Sequence, residues 1–152
     1  IDMFKKYRVL TKQELESREH ILVEKYIKQV LIEGETALVM AKTQILPSAV
    51  RQQSELASAV TQTEAAGSDA SGSRQALDDL LTLVHNLRAA IAVLEEALAA
   101  EHDTDLHKHA EFVRDHVRPA MNALRDAGDA IEVEVAADLW PIPSYRALLC
   151  IK

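Results

Sequence analysis

Seven apolar residues in the middle of the chain, Leu77, Leu80, Val84, Leu87, Ile91, Leu94 and Leu98, recur at steps of 3, 4, 3, 4, 3 and 4. An α-helix turns once every ~3.6 residues, so this spacing lines all seven along one stripe and specifies a helix with a heptad seam. Such a stripe needs a partner. Leu106, Ala110, Val113, Val117, Ala120, Leu124, Ala127 and Ile131 supply one, at steps of 4, 3, 4, 3, 4, 3 and 4. Only EHDTD (101–105) separates the two patterns. A connection that short makes the helices antiparallel neighbours in a hairpin. The second seam is richer in Ala, which lets a partner approach closely.

Neither helix of the hairpin can bury its stripe alone, and the upstream sequence offers a third element. Thr11 opens a T-K-Q-E capping box with Glu14. From there to Gly67, Leu15, Leu22, Tyr26, Ile27, Val30, Ala37, Leu38, Ala41, Ile45, Ala49 and Leu56 recur at helical steps. Gly34 and Pro47 interrupt the run, and Pro47 deletes one backbone hydrogen bond. One long helix over 12–66, kinked at Pro47, is favoured over two separate helices; it would span about 80 Å. GSDASGS (67–73) is small and polar, and is expected to be a flexible inter-helix linker.

The end of the chain differs in character. Pro141 and Pro143 hold residues 140–143 extended, which places the end of the preceding helix near Leu139. Ser144 can then cap a short last turn. Trp140, Ile142, Tyr145, Leu148, Leu149 and Ile151 are too apolar to hang in water. The tail over 138–152 is therefore expected to dock on this bundle, on a neighbouring domain or on another subunit. The fold expected is all-α: an antiparallel helical bundle of three or four helices in one domain over 1–152. It has a long kinked first helix, a heptad-seamed hairpin and an extended Trp-Pro-x-Pro tail.

Composition limits what such a bundle can do. The net charge of −7 disfavours nucleic acid and anionic membrane as partners, because both need a clustered positive face. No apolar run reaches the roughly 18 residues of a spanning helix, and no basic-then-apolar signal opens the chain. The single cysteine, Cys150, cannot form an internal disulfide, which suits a reducing, cytoplasmic compartment. The first residue is Ile1 rather than Met, as expected of a processed chain or of a piece of a longer one.

Two histidine groupings invite chemistry. His107, Glu111 and Asp115 stand at i, i+4 and i+8 and share one helix face, as three ligands of a divalent metal would. All three lie off the seam, and the plainer reading is a solvated charged face. His85, followed by Leu87 and Arg88, resembles the exposed histidine of phosphotransfer bundles, where an imidazole must reach an aspartyl phosphate. Ala89 stands where those domains usually have glycine, and so short a motif is weak. Neither a GxGxxG nor a GxxxxGK[ST] phosphate loop is present, and no nucleophile elbow surrounds any serine. Cys150 reads as a structural residue in an apolar tail.

DLWPIPSYRALL (138–149) closely resembles the extreme C-terminus of type III glutamine synthetases, where an L-W-P-x-P-[ST]-Y segment closes the chain. A second block over 9–53 resembles the same family. Its matching residues are Glu14, Leu15, Ser17, Arg18, Glu24, Tyr26, Ile32, Glu33, Thr36, Met40, Ala41, Lys42, Thr43, Ile45 and Pro47; Ser48 stands where the family tends to have Ala. The resemblance implies the C-terminal helical domain of a longer, ATP-dependent glutamate–ammonia ligase in nitrogen assimilation. Its ATP site and divalent metal, Mg or Mn, would belong to a separate catalytic domain, so no catalytic, cofactor or metal residue is expected here. Partners implied are that catalytic domain and neighbouring subunits of a large homo-oligomer. Trp140, Pro141, Pro143 and Tyr145 are candidate docking residues. Glu14, Ser17, Arg18, Glu24, Tyr26, Glu33, Lys42 and Pro47 are candidates for an interface or a structural face. A free-standing phosphotransfer bundle using His85, and a coiled-coil interaction module, are the alternatives.

Overall fold

The computed structural model describes residues 2–7, 9–100, 104–143 and 148–149. After a short α1 (Asp2–Lys6) come α2 (Lys12–Met40), α3 (Leu46–Ala65), α4 (Ser71–Ala99), α5 (Leu106–Phe112) and α6 (Arg118–Glu132). Two five-residue π turns, Ala41–Ile45 and Val113–Val117, join α2 to α3 and α5 to α6 without a break. The fold is thus three long rods: residues 12–65, 71–99 and 106–132.

Each start has a local cause. The Thr11 hydroxyl accepts from the Glu14 N–H, and the Glu14 carboxylate accepts from the Thr11 N–H at 2.8 Å, so the capping box forms as expected. Asp105 caps α5 by accepting from the N–H groups of His107 and Lys108.

Both π turns lie just before a proline. Pro47 cannot donate to the carbonyl four residues back, and its ring crowds that carbonyl. The disturbance takes the form of a π turn: the Leu46 N–H reaches five residues back to the Ala41 carbonyl. The same device recurs at Pro119, where the Arg118 N–H reaches the Val113 carbonyl. The first rod therefore passes Pro47 unbroken.

α3 ends in a Schellman motif. The Ser68 N–H donates to the Thr63 carbonyl and the Gly67 N–H to the Glu64 carbonyl, with Gly67 at φ +74°. The turn that follows is shorter than the 67–73 linker expected, because Ser71–Ser73 already form the first turn of α4. Asp69 anchors that turn by accepting from the backbone N–H and the hydroxyl of Ser71.

α4 runs back along α3, and α5–α6 then packs against α4 and α2. Leu80, Val84, Leu87, Ile91 and Leu94 of the α4 seam are buried, with Leu77 and Leu98 half-buried at its ends. Val113, Val117, Ala120, Leu124 and Ile131 meet them from the third rod, and Ile27, Val30, Ala41 and Ala49 from the first. Gly34 permits the closest approach, since a Cβ there would lie 3.2 Å from Leu98 Cδ2. Two sequence expectations need correction. Leu22 is 65% exposed, because Val23, one residue on, takes the inward position on α2. The third rod ends at Glu132 rather than near Leu139. Val135 turns into the core, and the Gln52 side chain of α3 accepts from the Ala136 N–H at 3.0 Å.

Three substitutions test this account by chemical denaturation. Leu87→Ala, at a fully buried seam position, costs about 2–5 kcal/mol. Gly67→Ala, forced into the left-handed region, costs about 1–2 kcal/mol. Gly72→Ala has open space around the new Cβ and gains about 0.4–1 kcal/mol by stiffening the unfolded chain.

Candidate functional site

A groove of about 390 Å³ lies between the first and third rods and is bordered by the tail. Ala37, Met40, Ala41 and Ile45 form one wall, and Met121, Leu124 and Gly128 the other. Trp140 and Ile142 lie across it, while Asn122, Arg125, Asp129 and Glu132 form the polar rim. The tail reaches the groove because of the early end of α6. Successive turns, with Glu134 and Val135 donating to Ile131 and Leu139 and Trp140 donating to Ala136, bend the chain back toward α2. Leu139 and Trp140 pack against the core cluster. The Trp140 indole N–H is buried and meets no acceptor among the described residues.

The docking residues thus divide. Trp140 sits on this bundle, whereas Pro141 and Pro143 are exposed and act by holding the strap extended. Tyr145 and Cys150 lie outside the described residues. Leu148 and Leu149 are exposed.

The residues singled out on the first rod do not converge on a site. Glu14 belongs to the cap. Ser17 and Arg18 are exposed one turn later. Glu24 accepts from Lys28 at 2.6 Å, and Glu33 from Gln29 at 2.9 Å, both along the helix. Tyr26 packs against the core. Lys42 crosses to α4, with Nζ 2.5 Å from Glu95 Oε1. Pro47 follows the π turn, and the Ser48 hydroxyl beside it is fully buried, donating to the Ile45 carbonyl at 2.7 Å.

The histidines are also dispersed. His107 Nε2 lies 3.6 Å from Glu19 Oε1, Asp115 is held by the Arg114 guanidinium at 2.7 Å, and Glu111 is exposed. No group of three or more His, Cys, Asp or Glu among the described residues is placed to hold a metal ion. His85 and Arg88 are exposed on α4. Sequence reasoning missed Gln52, whose role depends on a contact 84 residues away, and Gly128, which lines the groove wall.

Fold and surface together define an all-helical bundle domain. Its N-terminal part, residues 1–64, matches the family model for the glutamine synthetase C-terminal domain. The chain is 29% identical to a glutamine synthetase of Bacteroides fragilis (strain YCH46), over 95% of this chain and 21% of that protein. It is 28% identical to a type-3 glutamine synthetase of Dictyostelium discoideum, over 100% of this chain and 22% of that protein. Residues 1–64 are thus similar to the glutamine synthetase C-terminal domain, and the chain as a whole to these two relatives. The chain spans about a fifth of the length of these curated relatives.

Two measurements follow. Trp140→Ala removes a large ring that is only partly enclosed, so it lowers stability by about 2–3 kcal/mol, below the ~3–5 kcal/mol of a fully buried tryptophan. Trp140→Phe also removes the unpartnered N–H and costs less than about 1 kcal/mol. Acid titration is the second. The Thr11 N–H and hydroxyl hold the Glu14 carboxyl low, and a hydrogen bond from Lys28 does the same for Glu24. Ser71 lowers Asp69, and Arg114 lowers Asp115. Folded values below the ordinary 4.5 and 3.8 mean that the folded state binds fewer protons. The stabilisation is complete above those ordinary values and is lost as pH falls through the lowered ones. Thermal melts therefore show an acid limb, and Glu14→Gln makes it shallower.

Proposed function

We propose that this domain is a non-catalytic packing and assembly element of an ATP-dependent glutamate–ammonia ligase. ATP and the divalent metal, Mg or Mn, act in a catalytic domain outside these 152 residues, and the enzyme works in the cytoplasm as a large homo-oligomer. The partners of the helical domain are the catalytic domain of its own chain and neighbouring subunits, not nucleic acid or membrane. The family match supports this reading, and one observation carries the structural role. The first rod, at about 80 Å, is nearly twice as long as either helix packed on it and exposes Ile21, Leu22, Ile32 and Val39. No helix among the described residues is long and apolar enough to cross a membrane. Phosphotransfer through His85 has only the exposure of one imidazole behind it, and a coiled-coil adaptor role leaves the family match unused.

The test is removal of residues 1–152 from the full-length enzyme, with native mass and glutamine synthesis measured on the same sample. Loss of the oligomer, with activity falling alongside it, is expected. An intact oligomer with full activity would defeat the assembly role.

A further inference from the structure

Lys25 and Glu35 are exposed on α2, and neither has an ion-pair partner among the described residues. Both lie on the side of α2 turned away from the bundle. Its inner side carries Val23, Ile27, Val30 and Gly34. At about 100° of turn per residue, Ile21, Lys25, Lys28, Ile32, Glu35 and Val39 fall along one line on the opposite side, at steps of 4, 3, 4, 3 and 4. All six are exposed. The shallow surface from Ile21 to Glu33 is lined by α2 residues alone, so no other described element covers it. These are the steps of a helix–helix seam, but half of the positions are charged. Whatever pairs with this line must match charge as well as apolar surface.

The line matches itself. An antiparallel copy centred midway between Ile21 and Val39 sets Ile21 against Val39, Lys25 against Glu35 and Lys28 against Ile32. A two-fold axis makes each of these pairs occur twice. Lys25 and Glu35 cannot meet within one helix, because ten residues of rise hold them about 15 Å apart. Across the axis each ammonium faces a carboxylate. Lys28 keeps Glu24, 2.6 Å away, as its own partner, and lays its methylene stem along Ile32 of the second copy. Other arrangements fit less well. Parallel pairing sets Lys25, Lys28 and Glu35 each against itself. An antiparallel shift that sets Ile21 against Ile32 sets Lys25 against Lys28. Both oppose like charges along a strip that is losing its water. One step outside the matched line, Arg18 would face Lys42, but Lys42 is turned to Glu95 of α4.

We propose that this line is a self-complementary contact at which two copies of the domain pair antiparallel through α2. The inference rests on the assembly role proposed above and names the surface and the partner for it. Carbodiimide coupling, which joins a lysine directly to a carboxylate in contact with it, provides the test. It is applied to the assembled native polypeptide that carries residues 1–152, and the coupled peptides are read by mass spectrometry. The Lys42–Glu95 pair, 2.5 Å apart, is the internal control. A Lys25–Glu35 product is expected, and the distance between them along one helix means that it reports a second copy. Ile32→Lys sets a new ammonium against Lys28 and lowers that yield at least about tenfold, with the control unchanged. Lys25→Glu combined with Glu35→Lys only reverses each pair, and the 25–35 product persists. No Lys25–Glu35 product while Lys42–Glu95 couples, full yield in Ile32→Lys, or loss of the product in the double exchange would each overturn the proposal. An oligomer that survives the truncation described above, with the link present in the full-length enzyme, defeats the assembly role and leaves this contact standing. Loss of the oligomer on truncation, with the link absent from the full-length enzyme, does the reverse.

Discussion

The packing of α4 between the other two rods is the interaction on which the structure depends. Leu80, Leu87 and Leu94 are essentially excluded from water, with α3 along one flank of the helix and α6 along the other. Neither neighbour has an equally rich stripe. The third rod lines its seam with Ala110, Ala120 and Ala127, and the first contributes Ala41, Ala49 and Gly34. Leucines on the central helix fill the space that small residues on its partners leave, which is how a core with few aromatics reaches close packing.

Two prolines sit inside helices that must stay continuous for this packing to work. Each is preceded by a π turn, which lets the neighbouring N–H reach one carbonyl further back and keeps the helix intact. Ala41 opens the first turn and is buried; Val113 and Val117 bracket the second and are buried too. The accommodation therefore lies within the core. It positions residues on the inward face on both sides of each proline, and the first turn also forms part of the groove that Trp140 and Ile142 cross.

The difference in rod length shapes the outer surface. Two helices of roughly 40 Å cannot cover every side of one near 80 Å, and the apolar residues left over fall on the far side of α2. The family match over residues 1–64 takes in nearly all of that rod. The Trp140 groove is a second, separate feature: a fold-back of the tail made possible by the early end of α6 and by the Gln52 contact.

Periodicity and capping determined a good deal. The heptad steps from Leu77 to Leu98 and from Leu106 to Ile131, the capping box at Thr11 and the clustering of Gly, Ser and Asp after residue 66 are local signals. Helix formation and stripe direction depend on neighbours three or four residues away, so these can be read from the chain directly. The Trp-Pro-x-Pro wording likewise marked a tail that had to dock. Other features depended on contacts distant in sequence. Leu22 and Val23 are both apolar, and only the position of the hairpin decides which is inward. Val135 turning inward and Gln52 accepting from Ala136 end α6 at Glu132, seven residues before Leu139. His107, Glu111 and Asp115 share a helix face, yet Glu19 and Arg114 engage two of them separately. Tertiary structure decided these points because burial and pairing depend on which surfaces meet, and a linear pattern does not contain the lengths and registers that bring them together.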